Sequence, residues 1–284
     1  MVIRFGDIQF INSWPVTYAL RERLIGLRGT GLFMDIISAV PSELNAKLLA
    51  GELDGGAVST IEYLRHQDEF VPVPGACIRS DKAVASVIVM SREPLEQIEE
   101  GAIAVSNQGA TTPVLLKLLL QQKDIKLRTE QTALRYPKAL EQYPAALLIG
   151  DEALAAAAEA KTKRLHAWDL GIAWSDWTGM PFVYALWVVR RSIAEKNPEM
   201  LRQIARSFTD SRRWGQTHER ELIGRIQEKF PWPRQFIKDY LDNLSYDLDE
   251  KAWAGIARFA HEARGIKELI LPVSEEPAQL AGTR

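Results

Sequence analysis

The chain has 284 residues, 46% hydrophobic and 25% charged, with 35 basic against 37 acidic side chains. A net charge of −2 excludes the basic footprint of a nucleic-acid-binding domain. The single cysteine, Cys77, excludes an internal disulfide framework and suits a reducing compartment, and no apolar run approaches the roughly 18 residues that span a bilayer.

Residues 2–11 read as a strand, without the basic region and cleavage site of a secretory signal, so the expected location is the cytoplasm. Residues 15–27 read as a helix, 31–40 as a strand, and 41–50 as a helix with Pro41 near its first position and Gly51 past its end. Residues 55–59 form a short buried strand that ends in a hydroxyl. The β-rich run at 83–91 has a counterpart at 181–191. Between them lie a strand at 102–106, a helix at 112–122, a weak strand at 125–128, a helix at 136–142, a strand at 145–149 and an alanine-rich helix at 151–160. Beyond Arg191 the pattern is helical, and the last ten or so residues read as a frayed tail.

This alternation predicts an α/β protein with mainly parallel sheets covered by helices. Two sets of elements separated by two strand-like crossings favour two lobes with an interlobe cleft, over the alternative of one continuous sheet. One lobe would hold residues 1–86 and 191–284, the other residues 87–190.

Ligands of open α/β sheets bind outside the carboxyl ends of the strands. That rule selects Asn12-Ser13, Ser59-Thr60, the stretch 106–112 and Gly150-Asp151. Hydroxyl and amide side chains at helix entrances suit carboxylates or phosphates, because unpaired N–H groups and the helix dipole favour anions there. Each feature also has a plain structural reading. Ser59, Thr111-Thr112 and Asp151 are ordinary helix starts, and Ser13 is a candidate cap for the helix that Pro15 opens. Asn12 is left over by either placement of that cap, and a cleft ligand is its best remaining partner.

Other chemistries lack support. The four histidines are scattered, with no HxxxH pair, which argues against a zinc site. GxSxG, GxxxxGK[ST] and GxGxxG motifs are absent, Cys77 reads as a small buried residue, and the dense tryptophans read mostly as packing.

Five segments in order carry a resemblance: Asn12-Ser13-Trp14-Pro15, GELDGGAVSTIEY at 51–63, VASVIVMS at 84–91, LLIGDEAL at 147–154 and DLGIAWSDWTGMPFVYALWV at 169–188. Together they resemble the MqnA family, the chorismate dehydratases of menaquinone biosynthesis by the futalosine pathway. The resemblance implies a type II periplasmic-binding-protein-like fold with two hinge crossings. It also implies elimination of water from chorismate, a small dicarboxylate, to give 3-[(1-carboxyvinyl)oxy]benzoate, with no metal and no organic cofactor. By the same resemblance Asn12 is the catalytic residue. Ser13, Ser59, Ser86, Thr111, Thr112, Gly150 and Asp151 are the substrate-binding candidates. The chain departs from the family where Gly109-Ala110-Thr111-Thr112-Pro113 replaces a Ser-x-Thr-Ser pattern, which leaves open which hydroxyl meets the substrate. Two alternatives stand beside this reading: a non-enzymatic cytoplasmic carboxylate sensor on the same fold, and the sister enzyme 1,4-dihydroxy-6-naphthoate synthase, whose opening motif is absent here.

Overall fold

The computed structural model describes residues 2–25, 33–106 and 109–266. Strand β1 (Val2–Ile8) runs into a single 3-10 turn (Ile11–Ser13) and then helix α1 (Trp14–Arg21), followed by β2 (Phe33–Ala39), α2 (Pro41–Leu49), β3 (Gly55–Ser59) and α3 (Thr60–Arg65). Expectations for residues 26–32, 107–108 and the tail from 267 fall outside the described residues. Strand β4 (Phe70–Ser80) then crosses to β5 (Val87–Ser91). The next set holds β6 (Ala102–Val105), α4 (Thr111–Gln122), β7 (Arg128–Gln131), α5 (Ala139–Gln142), β8 (Ala145–Ile149), α6 (Asp151–Ala160), β9 (His166–Asp169) and α7 (Leu170–Thr178). Strand β10 (Phe182–Arg190) returns, and α8 (Arg191–Lys196), α9 (Pro198–Thr217), α10 (Glu219–Lys229), α11 (Arg234–Asp242), β11 (Leu244–Ser245) and α12 (Glu250–Ala263) follow among the described residues.

These strands form two sheets, one ordered β11-β4-β10-β3-β1-β2 and the other β7-β6-β8-β5-β9. The molecule is therefore an α/β protein of two lobes, crossed once between Ser80 and Val87 and again between Thr178 and Phe182. The sequence-based boundary at residue 190 needs correction. Strand β10 pairs antiparallel with β3 and β4, so it belongs to the first sheet and the second lobe closes before Phe182. Strand β4 was not anticipated, because Pro72, Pro74 and Gly75 read as turn residues. It tolerates them because β11 pairs only with Arg79 and Ser80, which leaves its other half with one unpaired edge. The weak strand expected at 125–128 lies a little later, at Arg128–Gln131.

The lobes are joined tightly at the hinge. Asp169 caps α7 by accepting from the Gly171 and Ile172 N–H groups, and it also accepts from Val84 and Ala85 in the first crossing. Ala85 takes φ +58°, and Ser86 N–H bonds back to Val84 C=O at 2.6 Å, so a strained tight turn delivers Ser86. Behind it, Trp174, Phe182 and Phe259 pack edge to face with centroids 5.0–6.2 Å apart, linking α7, β10 and α12. Gly255 of α12 lies against the second crossing, where an added Cβ would sit 2.3 Å from the Pro181 carbonyl oxygen.

That contact predicts opposite outcomes for two glycine-to-alanine changes. Gly255→Ala should cost about 1–3 kcal/mol through overpacking and lower Tm by on the order of 5 °C. Gly224→Ala, on α10 with nothing within 4 Å of the added carbon, should hold or raise Tm through helix propensity. Thermal unfolding of the two variants checks both signs.

Candidate active site

The strand ends meet at a cleft between the two sheets, with about 590 Å³ of empty space when the part open to solvent is included. Ile8, Phe10, Ile78, Val84, Val87 and Ile149 give it apolar walls, and Tyr184 and Leu244 complete one side. Its polar residues are Asn12, Ser59, Ser86, Thr111 and Thr112, with Gly109 and Gly150 contributing backbone. No Lys, Arg, His, Asp or Glu stands among the described lining residues. An anion there would rest on helix entrances and neutral donors.

The bonding of these side chains separates structural duties from available ones. Ser59 stands at the start of α3 but its hydroxyl makes no capping bond, and it is buried without a partner. Asn12 Oδ1 and Thr112 Oγ1 are likewise buried and unpaired. Buried polar atoms without partners are costly and uncommon, so three facing one cavity mark a place where a ligand completes the bonding. Thr111 has a different task. Its hydroxyl oxygen accepts the Ile61 N–H at 2.9 Å and joins α4 of one lobe to α3 of the other. Ser86 accepts a hydrogen bond from the Tyr240 hydroxyl at 3.0 Å, and its carbonyl accepts the Gly150 N–H at 2.7 Å. Gly150 must be glycine, because its φ is +68° and an added Cβ would lie 2.8 Å from the Phe10 ring.

Two of the sequence candidates lie outside this cavity. Ser13 is fully buried, and its hydroxyl points back to the Ile8 carbonyl at 2.8 Å and the Phe10 carbonyl at 3.2 Å. It neither caps α1 with its side chain nor lines the cavity, because it holds the end of β1. Asp151 does not cap α6. It accepts the Ile11 N–H at 3.1 Å and so ties α6 to the turn that carries Asn12. Burial pushes its carboxyl up to about 6, against the opposing pull of that N–H and of Lys229.

Sequence reasoning missed Tyr184 and Tyr240. Tyr184 lies in β10, where a hydroxyl in an otherwise apolar run was the available signal, and its OH bonds Ser80 Oγ at 3.1 Å. Tyr240 shares the buried face of α11 with Ile237, a spacing that reads as ordinary core. Asp7 was missed as well. Its buried carboxylate accepts from Thr17 at 2.7 Å and from Ser13 at 3.4 Å, with Arg21 at 3.8 Å.

The architecture and cleft place the molecule in a known structural class. A crystal structure of a protein from Archaeoglobus fulgidus superposes with a TM-score of 0.78 at 19% identity, covering 95% of this chain and 98% of that one. The periplasmic aliphatic sulphonate binding protein SsuA from Escherichia coli gives 0.65 at 15% identity, covering 95% and 94%. The alkanesulfonate-binding protein SsuA from Xanthomonas axonopodis, bound to MOPS, gives 0.69 at 14% identity, covering 95% and 96%. The fold is that of the periplasmic binding proteins, two lobes around a ligand cleft. Within it, the sequence model of the menaquinone biosynthesis family matches residues 3–264, and the chain belongs to that family. A chorismate dehydratase of Thermus thermophilus is 30% identical over 274 residues, covering 92% of this chain and 94% of the relative. A chorismate dehydratase of Campylobacter jejuni is 27% identical over 204 residues, covering 72% and 73%.

The buried Asp7 makes a pH prediction whose sign can be worked out. Burial raises its carboxyl from 3.8 to about 6, outweighing Thr17, Arg21 and Ser13, so the folded protein binds this proton more readily than the unfolded chain. Its ionisation therefore destabilises the fold progressively as pH rises from about 4 to above 6, by roughly 3 kcal/mol in all. Relative to the parent, Asp7→Asn should gain unfolding free energy from pH 4.5 to pH 7.5. Urea denaturation at the two pH values measures this, and a difference that does not change with pH refutes it.

Proposed function

We propose that the protein is a chorismate dehydratase acting in menaquinone biosynthesis, a cytoplasmic carbon–oxygen lyase. The carrying observation is the convergence of three buried, unpaired polar atoms, Asn12 Oδ1, Ser59 Oγ and Thr112 Oγ1, on one otherwise apolar cavity. Family membership and the two curated relatives support the choice of substrate.

The chemistry asks for little beyond orientation and charge stabilisation. The proton at ring carbon C3 of chorismate is vinylogous to the ring carboxylate, so its removal delocalises charge into that group as a dienolate. Expulsion of the C4 hydroxyl then forms the C3–C4 double bond. The departing hydroxide takes up a proton as water, and the ring becomes aromatic. Aromatisation supplies the driving force, and no metal or organic cofactor is required. Donors on the ring carboxylate strengthen as charge arrives there, worth roughly 3–4 kcal/mol each in favourable cases. The Ser59 and Thr112 hydroxyls and the entrance of α4 fill that role. The cavity lining holds no titratable base among its described residues apart from the phenol of Tyr184, which burial holds well above its ordinary range. The substrate's own enolpyruvyl carboxylate therefore takes the C3 proton, oriented by Asn12. Closure of the lobes excludes water and aligns these groups.

The test is to mix the purified protein with chorismate and to follow loss of the diene absorbance with appearance of a substituted benzoate. Asn12→Ala should lower kcat at least about 100-fold with an unchanged circular dichroism spectrum. Near-normal turnover in that variant would remove Asn12 from the mechanism. Tight binding of chorismate without turnover by the parent would instead favour a carboxylate sensor.

A further inference from the structure

The groups that face the substrate do not by themselves determine which of them donates and which accepts. A serine hydroxyl rotates to suit its neighbours and serves as donor or acceptor. For Ser86 a residue behind the cavity makes that choice. Tyr240, on α11, is buried with 3% of its surface exposed and lies outside the cavity lining. Its hydroxyl hydrogen goes to Ser86 Oγ at 3.0 Å.

We propose that Tyr240 is a positioning residue that sets the hydrogen-bond polarity of Ser86, by giving its own O–H to the Ser86 hydroxyl oxygen from behind the cavity. Ser86 Oγ has its acceptor position filled and no other partner among the described residues, so its own hydrogen is directed to the substrate, as a donor. Burial keeps the phenol protonated far above the working pH, so this arrangement does not reverse as pH changes. Ser86 stands on the first hinge crossing, so Tyr240 also braces that position from outside the cleft.

The inference rests on the dehydratase reading, and the test separates failure of the two. Tyr240→Phe keeps the ring and removes only the hydroxyl. It should lower kcat for chorismate by about 10- to 100-fold while KM changes less than about threefold and Tm holds within about 3 °C. A double-mutant cycle distinguishes action through Ser86 from a separate effect. Adding Tyr240→Phe to Ser86→Ala should cost less than half, in logarithmic terms, of what it costs in the parent. Full additivity, or kcat within twofold of the parent in Tyr240→Phe, would overturn the proposal. If the parent itself fails to consume chorismate, the dehydratase reading falls. Calorimetric titration with chorismate then replaces turnover: a Kd weakened by Tyr240→Phe in the parent but not in the Ser86→Ala background supports the positioning role, and an unchanged Kd removes it.

Discussion

The path of the chain at the end of β1 rests on a carboxylate sealed from water. Asp7 has no exposed surface, and it stays in place because Thr17 donates to it at 2.7 Å while Arg21 lies 3.8 Å away. Those contacts hold the first turns of α1 against the strand that precedes it. Ser13, committed to Ile8 and Phe10, closes the bend. The residue carried on the outside of that bend is Asn12. Further support comes from α9, whose Gly215 allows its backbone to approach so closely that an added Cβ would lie 2.6 Å from the Pro15 carbonyl oxygen. Trp14, Tyr18 and Trp214 stack in sequence alongside, with centroids 5.4 and 5.7 Å apart. The turn that carries the Asn12 amide is thus braced from the strand below and the helix behind.

The same turn also touches the other lobe. Its Ile11 N–H is taken by Asp151 of the other lobe, and the Ile61 N–H of α3 is taken by Thr111 of α4. Each bond joins a helix entrance of one lobe to a side chain at a helix entrance of the other. Each also sits one or two residues from a group with an unpaired buried atom, Asn12 in one case and Ser59 in the other. Opening the lobes would break both and expose backbone donors to water. In the joined arrangement described here both donors are satisfied next to the two unpaired groups.

Much of this was legible in the chain. The α/β alternation, both crossings and the strand-end positions follow from hydrophobic period and turn residues, which are local signals. What was missed is non-local. Strand β10 reads as a strand, but only its pairing with β3 and β4 shows which sheet it joins. Strand β4 contradicts its own local preference, and a neighbour that pairs along only part of its length permits this. Ser13 and Asn12 are adjacent polar residues in one motif, yet one hydroxyl turns inward to the Ile8 carbonyl and one amide oxygen is left for a ligand. Asp151 reads as a cap because a helix begins there, while its partner lies 140 residues away in sequence. Tyr240 carries no local mark, since a tyrosine on the apolar face of a helix is ordinary until its hydroxyl is traced to Ser86.

The likeness to sulphonate-binding proteins concerns the fold alone, and it sharpens what must differ between a binder and a catalyst. A binder gains by completing every polar contact with its ligand's ground state. A dehydratase that did so would sit in an energy well with nothing left to offer the transition state. The described lining of this cleft carries no fixed cation that would hold a carboxylate equally at every stage. It offers neutral groups with unfilled positions: an amide oxygen, which accepts, and two hydroxyls and the entrance of α4, which can donate. In an apolar cavity such donors gain most where negative charge develops in a reaction. On this argument the absence of charge from the lining favours turnover over retention, and the buried carboxylates stay outside the cavity, where they hold the turn and join the lobes without opposing the anion.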